Sequence, residues 1–363
     1  MSNSIHLKGL NGIRAIAAFA VVISHTLLSG VSLGIGAHEG SDLAGYGVSI
    51  FFSLSGFLIT YLLLIEKEKF GTINIKAFYI RRVLRIWPLY YFYLVLALLI
   101  IWFFKLDDLP GSTFYYVFLC ANIPFFIASE LPLVGHYWSL GVEEQFYLFW
   151  PWVVKHTNKL LRFLVIFILC FLALKFVFWY LYFHSDIKKP YIAIHVTRFE
   201  CMAIGAVGAV LAKQNAKWFF KLVCHPIVQV MAWASLLAMA ANKFHIASVI
   251  DNDIVAGLTI VLIINVSMNT RSLVKLGNKI CDFLGKISFG IYVYHPLILF
   301  FVGRYLASEI ETADLIVRYI IIFSAVIGFT ILIAWLSYNF FEKRFLQLKM
   351  KFAPVPSTAN KTA

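Results

Sequence analysis

The feature that most constrains this chain is a series of apolar segments long enough to cross a bilayer core of roughly 30 Å. They fall near residues 10–29, 45–65, 86–104, 137–154, 163–183, 198–212, 226–241, 253–268, 286–303 and 315–340. In hydrocarbon every backbone N–H and C=O must be satisfied internally, so the expected fold class is all-α, a polytopic transmembrane bundle of about ten spans. Hydrophobic residues make up 61% of the 363 positions and charged residues only 13%, with a mean hydropathy of +0.83. That balance excludes a soluble globular domain.

A net charge of +13 would suit a nucleic-acid binder if the cations formed a soluble basic domain. They collect instead at alternate connections, in KEKFGTINIKAFYIRRVLR at 67–85 and in EKRFLQLKMK near the end, while Glu39, Asp42, Asp107, Asp108, Asp251, Asp253, Glu309, Glu311 and Asp314 fall on the other set. This is the positive-inside pattern, and it predicts an even number of spans with both termini cytoplasmic. Membrane lipids are the expected surroundings, and no nucleic-acid partner is expected.

One membrane domain is expected over 8–345, followed by a short polar tail over 346–363 whose end, KFAPVPSTANKTA, is expected to be disordered. The first span reads as an uncleaved helix rather than a signal peptide, because Arg14 and His25 interrupt it. The piece TFYYVFLCANIPFFIA, in the connection 105–136, is too short and Pro-broken for a span and fits an interfacial or re-entrant segment. Five scattered cysteines lack CxxC or metal spacing and read as reduced packing residues; no metal is expected. No repeat of 20–50 residues and no inverted-repeat symmetry is visible.

Several residues do not belong in lipid. Within LNGIRAIAAFAVVISHTLLSG, Arg14 and His25 lie about three helical turns apart on one face, roughly 16 Å along the axis. Arg14 can snorkel to the surface and His25 can bond a neighbouring helix, but an ionisable group inside a span marks a function by default. A neutral imidazole can accept a hydroxyl proton. In FYIRRVLRIWPLYY, Arg82 and Arg85 share a helical face beside Arg81 and can hold phosphate, or they can anchor the span with Trp87 and Tyr90 at the interface.

In HYWSLGVEEQFYLFWPW, Glu143 and Glu144 open a helix that enters from the outside. They can serve its dipole, or lie at the depth of His25 and orient that ring. Arg198 and Glu200 open the segment TRFECMAIGAVGAVLAK, where Gly205 and Gly208 allow close helix approach. His295 precedes Pro296 in LGKISFGIYVYHPLIL, as a packed or a ligand-binding histidine.

Together these stretches resemble acyltransferase family 3, bacterial integral-membrane O-acyltransferases that modify surface polysaccharides and related acceptors. LNGIRAIAAFAVVISH is similar to the family's opening helix with its Arg-x10-His spacing, GVSIFFSLSGFLIT to its second, and Arg82 and Arg85 to its Arg-x-x-Arg pair. HYWSLGVEEQFYLFWP, LGKISFGIYVYHPLI and SYNFFEKRF, with Glu342, continue the match. Ser49 stands where many members carry Asp, and Arg344 where proline is common. The form expected is stand-alone, without a fused SGNH-type domain.

The resemblance implies a location in the bacterial inner membrane and an acyl-CoA donor, usually acetyl-CoA, used from the cytoplasm. It also implies a carbohydrate or lipid-linked carbohydrate acceptor. Its expected assignments are Arg14, Arg82 and Arg85 for the CoA phosphates and His25 with Glu143 or Glu144 for catalysis. Arg198, Glu200 and His295 are the expected substrate contacts. His25 can act as a base or carry a transient acyl group. The competing reading is a transporter or flippase of lipid-linked sugars, which also needs intramembrane charge and aromatic mouths.

Overall fold

The computed structural model describes residues 7–37, 42–107, 111–185 and 188–352. Glu39, Asp108 and most of the tail KFAPVPSTANKTA lie outside the described residues. Within them the chain is helical throughout, with no strand.

The order is α1 (Leu10–Leu28), α2 (Leu43–Phe70), α3 (Ile75–Phe104), two short helices α4 (Thr113–Val117) and α5 (Asn122–Phe126), then α6 (Trp138–His156) after a 3-10 turn at Gly135–Tyr137. There follow α7 (Leu160–His184), α8 (Lys189–Thr197), α9 (Phe199–Lys213), α10 (Lys217–Val223), α11 (Pro226–Ala240), α12 (Asp251–Met268), α13 (Lys279–Lys286), α14 (Ser288–Tyr305), α15 (Leu315–Ser337), a π-helical segment Tyr338–Glu342 and α16 (Lys343–Met350).

Local chemistry sets several boundaries. α2 stops at Gly71, whose φ of 70° is left-handed, and α3 starts on Asn74, whose side chain accepts from the Ala77 N–H. Asn278 and Asp314 cap α13 and α15 in the same way. Among the described residues seven helical stretches are long and apolar enough to cross a membrane: α1, α2, α3, α7, α8 with α9, α12, and α15 continued through α16. Two bent pairs raise the number to nine if each counts once, α10 with α11 at 58° and α13 with α14 at 63°. α6, expected over 137–154, is excluded by composition, since its 19 residues include Glu143, Glu144, Gln145 and Lys155. TFYYVFLCANIPFFIA forms α4 and α5, pinned where the Tyr90 hydroxyl donates to the Tyr116 carbonyl.

The centre of the bundle is α2, packed on α9, α1 and α12. A Cβ on Gly56 would stand 1.9 Å from the Met202 carbonyl oxygen, and one on Gly205 2.0 Å from that of Ser53, so the α2 and α9 backbones touch. Trp150 is fully buried and donates to Thr60 Oγ1 at 2.8 Å, tying α6 to α2. α7 and α15 instead leave wide apolar faces uncovered, with Leu174, Val177, Val317 and Ile320 exposed as lipid-facing residues would be. All five cysteines are free.

Candidate functional site: a cationic cavity and a histidine pair

A cavity of about 540 Å³ opens among α1, α2, α3, α6, α13, α14 and α16. Its walls carry Arg14, Arg81, Arg82, Arg85, Lys8, Lys286 and Lys349, with Glu66, Glu143, Asp282 and Glu342 as the acids. Arg81 is satisfied by Glu66 at 3.2 Å. Among the described residues Arg14, Arg82 and Arg85 have no carboxylate within ion-pair distance. Arg14 donates to Asn11 Oδ1 at 2.9 Å, and the Arg82 guanidinium lies over the Phe78 and Tyr147 rings at 5.4 and 5.2 Å, with its Nε unpartnered. The acids that could neutralise them are engaged elsewhere. Glu143 accepts from the Tyr147 hydroxyl, which also meets Ser55 Oγ, and Glu342 accepts from Ser337 at 3.1 Å. Partly desolvated cations without counter-ions make a site for an anion.

His25 stands at the other end of α1, in a smaller cavity of about 320 Å³ lined also by His136, Leu133, Pro296 and Phe300. Its Nδ1 lies 2.7 Å from Nε2 of the fully buried His295. His295 Nδ1 in turn lies 2.7 Å from the Tyr292 carbonyl oxygen, which can only accept. The network therefore assigns the protons: His295 carries one on Nδ1, its bare Nε2 accepts from His25 Nδ1–H, and His25 is left with its lone pair on Nε2. That is the tautomer a general base at His25 requires.

The two cavities share a wall. Tyr292 and Ser139 line the larger one, 2.6 Å apart at their hydroxyls, and both bond to the His136 carbonyl, at 2.8 and 3.3 Å. The His136 ring packs on that of His295 with centroids 5.2 Å apart.

Of the residues singled out in the sequence, the structure brings Arg14, Arg82 and Arg85 together, and His25 with His295. The expected contact of Glu143 or Glu144 with His25 is replaced by others. Glu143 faces the arginine cavity, and Glu144 Oε2 accepts from Trp87 Nε1 at 2.9 Å, so Trp87 serves a carboxylate rather than the interface alone. Both acids sit on α6 at a depth that sequence can estimate, but their directions around the helix point away from the imidazole.

Arg198 and Glu200 are not an outer-surface pair. Arg198 is buried, donating to the Gly45 carbonyl and Asn252 Oδ1 at 3.0 Å and to Ser49 Oγ at 3.3 Å. Ser49 is thus one of three acceptors that α2 and α12 offer this guanidinium. Glu200 binds Lys175 Nζ at 2.7 Å, and Lys175 also binds Asp253 at 2.8 Å. Neither Arg198 nor Glu200 lines either cavity. Glu200, Cys201 and Asp253 hold possible ligand atoms within 4.8 Å of one another, but the Lys175 ammonium already bonds both carboxylates. Sequence reasoning passed over Lys175, Ser55, Tyr147, Tyr292 and Lys349; a lone lysine in an apolar run is the one clear signal among them.

Residues 7–338 match the family model described as an acyltransferase domain. Over 366 residues the chain is 27% identical to the O-acetyltransferase OatA of Staphylococcus aureus, covering 93% of this chain and 57% of that protein. Over 157 residues it is 36% identical to the peptidoglycan O-acetyltransferase OatA of Listeria monocytogenes, covering 40% and 24%. The chain thus spans little more than half the length of the curated relatives it matches across most of its own residues. No solved structure matches it.

Proposed function

The chain belongs to acyltransferase family 3, and from that membership and the paired cavities we propose that it is a membrane O-acetyltransferase that uses acetyl-CoA and acylates a hydroxyl of a surface or periplasmic carbohydrate. The observation that carries this reading is the trio Arg14, Arg82 and Arg85, which shares a cavity without carboxylate partners. A cavity of this size is within the range that encloses most of a cofactor-sized ligand. The cavity gathers residues from the connections richest in Lys and Arg, which supports a cytoplasmic mouth and cytoplasmic termini in an inner-membrane protein.

In this reading the arginines hold the phosphates of the donor and His25 works at the opposite cavity, where the acceptor enters. His25 Nε2 takes the proton of the acceptor hydroxyl, the oxygen bonds to the acyl carbon, and the carbon–sulfur bond breaks with release of the CoA thiolate. His295 holds His25 in the tautomer with Nε2 free. The wall at Tyr292 and Ser139 lies between the two ends and must move for the acyl group to reach His25. The names of the relatives support an O-linked product, and the Listeria protein's name supports a cell-envelope glycan as one acceptor class.

The test is acetyl-CoA turnover by purified protein in neutral-lipid nanodiscs, together with base-labile acetyl signals in the surface glycans of cells, read by proton NMR. Wild type should release CoA and leave acetyl esters, and His25→Ala should do neither. CoA release absent from wild type, with glycan spectra equal across wild type, His25→Ala and a deletion, defeats the assignment.

A further inference from the structure

The matched domain ends at residue 338, yet the cavity does not. Beyond that point the helix passes through the π-helical segment Tyr338–Glu342 before α16 begins. A π turn adds a residue to the helical path and so rotates α16 by about 100° relative to an uninterrupted α-helix. The face turned toward the arginines holds Glu342, Leu346 and Lys349, spaced at helical intervals, and all three line the cavity. Arg344 and Gln347 point outward and are exposed.

Lys349 is the unexplained member. It is half-buried, and the charges that act on it most are Arg85, Arg82, Arg14 and Arg81. Among the described residues its ammonium has no hydrogen bond or ion pair. Like charges crowded in a partly dry cavity repel, so a helix end would not add a further cation beside the four arginines without compensation. The end is nevertheless held down, because Arg81 donates to the Phe352 carbonyl at 2.8 Å while also binding Glu66.

Resting on the reading of this cavity as the donor site, we propose that Lys349 is a phosphate-binding residue and that α16 is the part of the donor site which closes over a bound polyanion. Phosphate esters are the chemistry that suits four arginines and three lysines in one cavity, and a donor with several phosphates offers charge for both the α1–α3 arginines and the α16 ammonium. α16 then completes the site from the far end of the chain and is fastened by the ligand it helps to bind. An anionic lipid headgroup carries the same phosphate chemistry, so the two sources are separated in the test.

The experiment measures CoA binding by calorimetry, and hydrogen exchange over 343–352, for protein in nanodiscs of neutral lipid. The variants are Lys349→Ala, Lys349→Arg and, as an α16 control outside the cavity, Lys343→Ala, each accepted only if monodisperse. Wild type should bind CoA and slow exchange in α16. Lys349→Ala should bind at least about fivefold more weakly and lose most of that protection, Lys349→Arg should stay within about twofold of wild type, and Lys343→Ala should not differ. If wild type and Lys349→Ala bind CoA equally, the role of Lys349 is wrong while the donor site stands. If wild type does not bind CoA, the donor reading fails and this proposal with it. If Lys349→Ala leaves CoA binding intact but lowers retention of phosphatidylglycerol in anionic nanodiscs, the phosphate recognised by α16 belongs to lipid and the proposal is overturned.

Discussion

Replacing His295 tests the proton assignment in the histidine pair most directly. His295 bridges the Tyr292 carbonyl and His25 Nδ1 with two bonds of 2.7 Å, entirely buried. His295→Ala removes the acceptor for His25 Nδ1–H. The His25 ring is then free to turn, and a proton can occupy the nitrogen that should be bare. Loss of a buried hydrogen bond that orients a group costs about 1–3 kcal/mol, which at about 1.4 kcal/mol per tenfold is a rate loss of roughly 5- to 150-fold. His295→Gln is the informative partner, because its amide oxygen can accept from His25 in place of Nε2 and should restore much of the rate. The assay is initial velocity of acetyl transfer from acetyl-CoA in nanodiscs at matched protein levels. The effect should fall on kcat with little change in KM for acetyl-CoA, since the arginine cavity is untouched. If His295→Ala keeps wild-type kcat while His25→Ala is inactive, the pair is a packing contact and His25 does not depend on it.

Other perturbations draw on the same geometry. Arg82→Ala and Arg85→Ala should each raise KM for acetyl-CoA by about tenfold or more through loss of a charge-assisted phosphate contact, and an unchanged KM in both would remove the arginines from the donor site. Gly56→Ala or Gly205→Ala should destabilise the α2–α9 contact by about 1–3 kcal/mol or more, because gaps of 1.9 and 2.0 Å must open to the 3.4 Å of ordinary contact. Melting in detergent should show that loss, while Gly328→Ala, with nothing within 4 Å of its Cβ, should melt within a degree or two of wild type. Lys175→Met should leave Glu200 and Asp253 as uncompensated buried acids and cost about 3–5 kcal/mol; equal thermal stability would mean the network is not holding α7.

Much of this arrangement was legible in the residues that hydrocarbon should exclude. Arg14, Arg82 and Arg85 stood out against apolar surroundings, and the charge asymmetry of the connections placed them at one mouth. Depth along a helix comes from counting residues, which is why His25 could be set about three turns from Arg14. Azimuth does not, because it depends on how helices pack, and this separates Glu143 and Glu144 from the imidazole they were expected to orient. The partner His25 does have, His295, lies 270 positions away, and no local pattern pairs two residues so remote. Span counting met a similar limit. The segment 137–154 was expected to cross, but α6 carries Glu143, Glu144 and Lys155 and falls outside the helices apolar enough to do so, and Pro226 opens α11 after a 58° bend that composition does not reveal.

Lys175 bears on how the bundle comes together in time. α7 is the most apolar of the candidate spans, yet it holds a lysine that finds its partners on α9 and α12, helices made later in the chain. A lysine within a span costs about 2.5–3.5 kcal/mol at insertion, which the surrounding leucines and phenylalanines of α7 are sufficient to overcome. The helix can therefore enter the bilayer alone but carries an unsettled charge until Glu200 and then Asp253 arrive. The first acid should leave synthesis about 25 residues after the lysine and the second about 78, so α7 acts as a waiting post to which the later helices are drawn. Assembly order is in this way written into the placement of a single cation.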